Sequence, residues 1–435
     1  MLRRRAWRTI SFSDHIKLRS MKPNRYLLAN LPLFIVLFID SMGLGLLFPI
    51  LNNVIVDPAS AFLSATTSGA TRDFLYSLTV GLFMLSWFFG AAILGDLSDT
   101  VGRKKALIIC LLGSFVGYFV AAVSIWLHSL PLLILGRVIA GFTAGSQPIA
   151  QAAIVDISPP EHKARNIGYI LLAISLGFVF GPIFGGVLSD AKLVSWFTFS
   201  TPLNFAAIVS FFNAALLWLT FKETSHVTGK IYLKFHRAIQ IFISAFQRRT
   251  IRYISLVFLV LIFGWSDFFT FISMFVMDRY HFSPLMICLY MGALGLGFAI
   301  GCGLLVDFCA NRYAHKQTVI VSTALTAAGV LLMLLVYNQV LAWIIATFIG
   351  AVMALAYSTT LIIFSNQVGE DEQGWVMGVT GSIMALSFGI NSFLTGLVAH
   401  YGPSLPIALS VLGLSLSGLL MGFYRPKAGS EKQLS

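Results

Sequence analysis

Three ionisable side chains stand deep inside long apolar stretches of this sequence: Asp40, Arg137 and Asp267. An ionised group in such a stretch is costly unless it is paired or hydrated, so each should face a protein interior. A carboxylate in that position can take up and release a proton as its surroundings change, which makes Asp40 and Asp267 candidates for proton coupling. Two structural alternatives stay open. Neighbouring hydroxyls could hold Asp40 as a packing device, and Arg137 could simply tie two helices together.

Four neutral residues near these charges are candidates for a binding pocket. On a continuous helix, at about 100° per residue, Gln147 and Gln151 lie about 80° and 40° from Arg137, which predicts one polar face. Trp265 precedes the second acid by two residues, where an aromatic ring suits a cation. Asn391, in a later apolar stretch, is the fourth candidate.

Membrane helices must position these residues, because the chain is too apolar for a soluble fold. Apolar residues make up 57% of the 435 residues, charged residues make up 11%, and the mean hydropathy is +0.86. Twelve apolar runs are each long enough for one helical span of a bilayer. We place the runs at 27–50, 74–97, 106–127, 131–155, 166–189, 202–221, 252–277, 284–308, 318–337, 340–364, 375–399 and 404–423.

Basic residues are distributed very unevenly between the loops of the two sides. One side holds 25 of the 29 Lys and Arg residues. The positive-inside rule places that side, and with it both termini, in the cytoplasm. This bias also accounts for the net charge of +12 without a nucleic-acid partner. Residues 1–25 are basic but lack an apolar run followed by a cleavage site, which predicts a cytoplasmic arm rather than a signal peptide.

A basic linker divides the runs into two groups of six. It contains Ile239, Phe242 and Phe246 at helical spacing among basic residues, which predicts an amphipathic helix on the cytoplasmic surface. The predicted organisation is a basic arm at 1–26, a six-helix bundle at 27–221, the linker at 222–251, a second six-helix bundle at 252–424 and a cytoplasmic tail at 425–435.

The second and third runs are joined by the segment G-D-L-S-D-T-V-G-R-K-K, which predicts a tight charged hairpin. Gly95 should let two backbones approach closely, and Gly102 should permit a turn with positive φ. Asp99 lies close in sequence to the basic residues Arg103 and Lys104, so opposite charges meet at the membrane face.

Two further features belong with this hairpin. Asp156 ends the fourth run, where its charge could meet Arg103. A shift of 208 residues places Gly303–Asp307 on Gly95–Asp99, which indicates that the second half repeats the first. The second copy is degraded, because Asn311 stands where the first copy has Arg103.

The fifth run carries glycines at positions 177, 181, 185 and 186. Gly177, Gly181 and Gly185 recur every four residues and predict a groove for a neighbouring helix, which Gly186 extends. Pro182 removes a backbone hydrogen bond and should bend the helix there.

Four of these features together resemble the major facilitator superfamily: the charged hairpin, the acid Asp40, the fourth-run Arg137, and the fifth-run pattern G-x-x-x-G-P-x-x-G-G. The motifs of the first and fifth runs are similar to those of its tetracycline-efflux-like drug:proton antiporter branch. The resemblance implies an all-α membrane protein with twelve transmembrane helices in two six-helix pseudo-repeats around a central site. It also implies a proton-transfer role for Arg137 and a latch between Asp156 and the hairpin.

The resemblance implies a proton-coupled secondary transporter that moves a small molecule by alternating access, with drug efflux by proton antiport as the leading reading. Uptake of a nutrient or siderophore by the same fold is an alternative, and a membrane receptor that transports nothing is another. The intact carboxylates in the first and seventh runs argue against the receptor. We expect a monomer in the inner membrane of a bacterium, with a small-molecule substrate, protons and the lipid bilayer as its partners.

The sequence predicts no enzyme. It contains no G-x-x-x-x-G-K-[ST] and no H-E-x-x-H motif, and no nucleophile elbow. The cysteines have no C-x-x-C spacing and no clustered histidine, so we interpret them as packing residues. We therefore predict no cofactor and no metal site, and an ion gradient as the source of energy. The four cysteines are Cys110, Cys288, Cys302 and Cys309.

Overall fold

The computed structural model describes residues 23–158, 163–224, 236–369 and 372–425, and the regular structure of these residues is helical. Most of the predicted arm and tail, at 1–22 and 426–435, lies outside the described residues. The α-helices of the described part are α1 (Pro23–Leu51), α2 (Gly69–Val101), α3 (Arg103–Trp126), α4 (Leu130–Thr143), α5 (Ser146–Asp156), α6 (Lys163–Val187), α7 (Thr201–Thr220), α8 (Arg237–Gln247), α9 (Arg252–Tyr280), α10 (Pro284–Ile300), α11 (Val306–Ala310), α12 (His315–Leu335), α13 (Gln339–Asn366), α14 (Gln373–Gly396) and α15 (Ser404–Phe423).

The prediction of an all-helical membrane architecture is confirmed. In the described residues, eleven helical stretches are long and apolar enough to cross a bilayer, and α6 carries a shorter apolar helix at Leu172–Val187. Two of the spans are lengthened by single π-helical turns. Asn52–Val56 continues α1, and Gly301–Leu305 joins α10 to α11.

Several helices begin or end at residues other than the bounds of the predicted runs, and α2 shows why. The second apolar run is predicted at 74–97, but the helix covers Gly69–Val101. Ser68 caps its N-terminus by accepting a hydrogen bond from the backbone N–H of Thr71 at 3.2 Å. Hydropathy marks only the apolar middle of a helix, whereas caps and turns decide where the helix ends.

The fourth run forms one span, Leu130–Asp156, as predicted, but its helix is distorted part-way along, which the sequence prediction did not include. It is divided into α4 and α5 by a break at Ala144 and Gly145. Pro148 has no N–H to donate to the Ala144 carbonyl, and its ring would clash with that oxygen in a regular helix. The Ala144 carbonyl instead accepts from the N–H of Gln147 at 3.3 Å.

Two groups of helices, α1–α7 and α9–α15, contact each other toward one end of the molecule. The Tyr76 hydroxyl of α2 donates to the Thr270 carbonyl of α9 at 2.7 Å. A Cβ on Gly81 of α2 would lie 3.2 Å from the Gly389 carbonyl of α14, so these two helices approach backbone to backbone. Both contacts lie far along α2 from Gly102, and we call their end of the molecule the closed end.

The linker helix α8 contacts both groups at the other end. Arg237 forms an ion pair with Asp96 of α2 at 2.6 Å. Arg248, just after α8, forms an ion pair with Glu372 before α14, also at 2.6 Å, and lies 4.7 Å from the Trp375 ring. The predicted helix is therefore present at 237–247, whereas residues 225–235 of the linker lie outside the described residues.

Candidate functional site

Asp40 is buried in α1 and is bonded to the break in the fourth run. Ser146, the first residue of α5, donates from its Oγ to Asp40 Oδ2 at 2.5 Å. The exposed fractions of the two residues are 7% for Asp40 and 1% for Ser146. A buried carboxylate with a neutral hydroxyl donor has no opposite charge to hold it ionised, so this arrangement suits reversible protonation.

Helix α3 brings two titratable side chains into electrostatic range of the same carboxylate. Tyr118 and Cys110 are both buried, and both interact electrostatically with Asp40. The Tyr118 hydroxyl lies against Gly43, one turn after Asp40, where an added Cβ would overlap the hydroxyl oxygen. The absence of a side chain at Gly43 therefore makes room for Tyr118 beside the acid.

Arg137 is buried in α4 without an acidic partner in the described part of the chain. Its guanidinium carbon lies 3.9 Å from the centre of the Phe83 ring. Its Nε and Nη1 have no hydrogen-bond partner among the described residues. Tyr76 and Tyr118 are near enough to interact with it electrostatically. Arg137 and Asp40 thus share the neighbour Tyr118 but do not form an ion pair in this conformation.

The predicted polar face of Arg137, Gln147 and Gln151 rests on a helix that is in fact broken. Arg137 belongs to α4, and both glutamines belong to α5. The angles of 80° and 40° assume one continuous helix and therefore do not apply across the break. Gln147 and Gln151 are half-buried on α5, whereas Arg137 is buried.

The second acid, Asp267, is held by residues of α14. Its Oδ1 accepts hydrogen bonds from Asn391 Nδ2 at 2.8 Å and from Thr395 Oγ1 at 2.6 Å. Asn391 also donates to Ser266 Oγ at 2.6 Å. Two separate candidates, Asp267 and Asn391, are therefore brought together, and Thr395 is a neighbour that the sequence did not reveal. Both donors reach the same carboxylate oxygen of Asp267.

Trp265 belongs to an aromatic cluster between the two groups of helices. Its ring lies 5.7 Å from that of Phe269, which in turn lies 5.1 Å from Phe48 of α1. Phe178 of α6 lies 6.3 Å from Phe269 and 6.1 Å from Phe298 of α10. Rings from both groups thus form an apolar layer at the centre of the molecule, beside Asp267.

The turn between α2 and α3 consists of Gly102, whose φ is +99°. Glu223, a residue that the sequence did not reveal, supports this turn. Glu223, after α7, accepts hydrogen bonds from the backbone N–H groups of Arg103 at 2.8 Å and Lys104 at 3.2 Å. It therefore caps the N-terminus of α3 with a negative charge. Lys104 Nζ donates to the Trp218 carbonyl at 2.6 Å, which ties α3 to α7.

The turn is shorter than the hairpin that the sequence predicts, because the helix α2 continues to Val101. The prediction for Gly95 also differs from the structure. Gly95 lies within α2, and a Cβ added there would meet nothing within 4 Å, so the predicted close backbone approach at Gly95 is wrong. The charges do meet. Arg103 Nη1 lies 2.8 Å from Asp99 Oδ1, and its Nε lies 3.5 Å from Asp156 Oδ2.

The fifth-run glycines allow α6 to pack directly on α1 and α10. A Cβ on Gly177 would lie 2.7 Å from the Phe38 carbonyl, and one on Gly181 would lie 2.5 Å from the Met42 carbonyl. The remaining members of the motif continue the contact: Gly185 faces Leu46, Pro182 faces Gly45, and Gly186 faces Cys288 of α10. Pro182 lies inside α6 without ending it.

Comparison with known protein families identifies this arrangement. The family model of the Major Facilitator Superfamily matches residues 33–392, which is most of the chain. The protein belongs to this superfamily.

Several characterised members of the superfamily resemble the chain. The class C tetracycline resistance protein of Escherichia coli is 26% identical over 353 residues, covering 80% of this chain and 84% of the relative. The quinolone resistance protein NorA of Staphylococcus aureus is 28% identical over 397 residues, covering 89% and 94%.

Solved structures of the superfamily share the fold. The D-xylose-proton symporter superposes with a TM-score of 0.75 at 15% identity, covering 93% of this chain and 98% of that structure. The human organic anion transporter MFSD10 superposes with a TM-score of 0.69 at 21% identity, covering 92% and 100%. At these identities, the similarity concerns the fold.

The second copy of the superfamily hairpin keeps part of the first copy's geometry. Asn311 Nδ2 donates to Asp307 Oδ1 at 3.1 Å, at the positions that Arg103 and Asp99 occupy in the first copy. Gly303, like Gly95, has open space where a Cβ would be. Within the described residues, no group of three or more His, Cys, Asp or Glu side chains could hold a metal ion.

Proposed function

We propose that this superfamily member exports a small molecule across the cytoplasmic membrane in exchange for protons. The observation that carries the proposal is Asp40, a buried carboxylate inside a membrane-spanning helix whose hydrogen-bond donor is the neutral Ser146. Exporters of this kind need a group whose charge changes within the membrane. The curated relatives are tetracycline and quinolone resistance proteins, so these two classes of compound are the first substrates to test.

The architecture of the proposal is twelve spans in two six-helix repeats, at 27–221 and 252–424, that rock about a central site. Eleven spans and the shorter apolar helix in α6 support the count. The contacts of Tyr76 with Thr270 and of Gly81 with Gly389 hold the closed end together. The charge bias of the loops puts the closed end outside, which makes this a conformation open to the cytoplasm, with both termini on that side.

In this mechanism the two acids hold and release the protons. Asp40 is the carboxylate of the first repeat, and Asp267 is that of the second. Arg137 modulates the first through Tyr118, which interacts electrostatically with both Arg137 and Asp40. Asn391 and Thr395 stabilise the ionised form of Asp267 by donating to it.

The substrate pocket of the proposal lies between the acids. We assign to it Gln147 and Gln151, whose side chains are half-buried on α5. Trp265 and the rings around Phe269 offer flat apolar surfaces for a planar compound. Asn391 is engaged with Asp267, so a substrate that bound there would compete with this hydrogen bond.

The gating loop of the proposal is the turn around Gly102. Arg103 bridges Asp99 of α2 and Asp156 of α5, so it links two helices of the first repeat at the open end. Breaking this bridge should alter the rate at which the cytoplasmic side opens and closes, because loops and hinges of this kind set many transport and turnover rates.

The experiment is transport of tetracycline and of a quinolone into everted vesicles or proteoliposomes under an imposed pH gradient. Wild type should accumulate a transported compound only while the gradient lasts. Asp40→Asn should abolish this accumulation but preserve exchange of labelled compound without a gradient. Asp57→Asn, an acid just beyond α1 that caps a short turn, is the matched control and should transport normally.

The results separate the possible readings. If Asp40→Asn still concentrates the compound, Asp40 is a packing residue and the coupling acid is elsewhere. The direction of accumulation decides between export and uptake by the same fold. A protein that binds the compound but moves neither it nor protons would be a receptor.

A further inference from the structure

Ser146, whose hydroxyl bonds Asp40, directly follows the two-residue distortion of the fourth run. The break at Ala144 and Gly145 starts a new helix at Ser146, in the middle of the bundle. The Ser146 Oγ then donates to Asp40 Oδ2 at 2.5 Å, and both residues are at least 93% buried.

The backbone of α2 fixes the position of this break. A Cβ on Gly145 would lie 2.5 Å from the carbonyl carbon of Gly90 and 2.7 Å from the N of Ala91. A Cβ on Gly90 would overlap the Phe142 carbonyl oxygen. Glycine at both positions therefore lets α2 lie directly against the turn that carries Ser146. The same α2 contacts α14 of the other group at Gly81, so the turn is packed against a helix of the interface.

The residue before the break is held on its other side. Thr143 Oγ1 bonds to Ser114 Oγ of α3 at 3.1 Å and to the Ile139 carbonyl at 3.0 Å. The end of α4 is thus tied to α3, and the start of α5 is tied to α1 through Asp40. The location of the Ser146 hydroxyl is set by the packing of four helices rather than by a flexible loop.

Other titratable groups lie near Asp40, but within the described residues no hydrogen bond joins them to its carboxylate. Cys110 and Tyr118 of α3 interact electrostatically with Asp40, and Tyr118 also interacts with Arg137 of α4. Helix α6 faces this part of α1 with the backbone of Gly177 and Gly181. These two glycines bring no titratable side chain near Asp40. In the described residues, the side-chain hydrogen bond to Asp40 comes from Ser146.

We propose that Ser146 is a positioning residue for proton exchange at Asp40: its hydroxyl holds the carboxylate in one place and favours its ionised form. The proposal rests on the proposed role of Asp40 as a coupling acid, and it adds the residue that sets the pH at which Asp40 releases its proton. Loss of a hydrogen bond that is stronger to the ionised carboxylate should move the pH at which Asp40 releases its proton by about one to two pH units.

The test is an infrared pH titration of purified protein in lipid. It follows the carbonyl band of the protonated carboxyl that disappears in Asp40→Asn. In Ser146→Ala the midpoint should move about one to two pH units higher, because the ionised form has lost its donor. Ser146→Thr keeps the hydroxyl and should titrate like wild type. Ser41→Ala is the matched control, because Ser41 is buried beside Asp40 and its Oγ has no partner among the described residues.

Two results would overturn the positioning role: an unchanged midpoint in Ser146→Ala, or the same shift in Ser146→Thr and Ser146→Ala. The titration does not depend on transport, so the two proposals fail separately. A shifted midpoint in variants that transport nothing under a pH gradient would overturn antiport and leave the role of Ser146 intact. Asp40-dependent transport together with an unshifted midpoint would support antiport and overturn the positioning role of Ser146.

Discussion

Replacing Glu223 by Gln tests whether a residue outside the superfamily hairpin holds the start of α3. The Glu223 carboxylate accepts from the backbone N–H groups of Arg103 at 2.8 Å and Lys104 at 3.2 Å. Glutamine keeps one acceptor oxygen but turns an NH₂ group toward the second donor. It also removes the negative charge from the positive end of the helix dipole.

The size of the effect follows from these two losses. A lost helix cap costs about 0.5–2 kcal/mol, and the lost charge at the helix end costs about 0.3–1 kcal/mol. The free energy of local opening at the start of α3 should therefore fall by about 1–3 kcal/mol. Every 1.4 kcal/mol is a factor of about ten in an equilibrium constant. Amide hydrogen exchange that depends on this opening should accelerate by roughly 5- to 150-fold.

The assay is hydrogen–deuterium exchange with mass spectrometry of the peptide that covers 100–107, in detergent or lipid. Glu372→Gln is the matched control, because it removes a paired carboxylate at the N-terminus of another helix, α14. The control should leave exchange at 100–107 unchanged. Equal exchange rates in wild type and Glu223→Gln would refute the reasoning, since the two N–H groups would then be protected by something else.

The remaining predictions concern packing, the charged bridge and topology. Gly90→Ala should lower the melting temperature, because its Cβ would overlap the Phe142 carbonyl, whereas Gly95→Ala, which faces open space, should melt like wild type. Equal melting temperatures would contradict the packing. Asp99→Asn and Asp156→Asn should each slow transport, and the double variant should lose less than the sum because both acids pair with Arg103; strict additivity would contradict the bridge. Reporters fused after Ser435 and inserted within 225–235 should both report a cytoplasmic location, and a periplasmic signal from either would refute the twelve-span topology.

Sequence reasoning worked where one side chain is sufficient evidence. Asp40, Arg137 and Asp267 stand out because a charge in an apolar run is costly wherever the helix lies. The glycines at 177 and 181 were recognised from their spacing alone, and their backbones do contact α1. Each inference needed only the local pattern and the low dielectric of the membrane.

The sequence could not reveal the partners of these residues. Ser146 lies 106 positions from Asp40, Thr395 lies 128 from Asp267, and Glu223 lies 120 from Arg103. Serine, threonine and glutamate are common residues, and nothing in their local sequence marks them as donors or caps for a distant group.

The break in the fourth run is a different case, because its signal was present. Gly145 followed by Pro148 predicts a helix interruption: proline leaves the Ala144 carbonyl without its regular donor, and glycine lacks a Cβ. Pro182 shows why the signal is ambiguous, since α6 continues through it. The difference lies in the neighbours. The backbone of α2 occupies the space beside Gly145, whereas Pro182 packs against Gly45 of α1.

Asp40 and Asp267 share one feature that bears on alternating access: the hydrogen-bond donors of each acid lie in its own group of helices. Asp40 and its donor Ser146 belong to the first group of helices, and Asp267 with Asn391 and Thr395 belongs to the second. The rocking of one group against the other would therefore leave these hydrogen bonds intact. What it would change is the set of contacts between the groups: the hydrogen bond from Tyr76 to the Thr270 carbonyl at the closed end, and the apolar layer in which Phe48 and Phe178 meet Phe269. Apolar rings slide at little cost compared with the breaking of buried hydrogen bonds. In the proposed antiporter, each acid would then exchange its proton because water reaches it in one conformation and not in the other, while its hydrogen-bond donors remain in place.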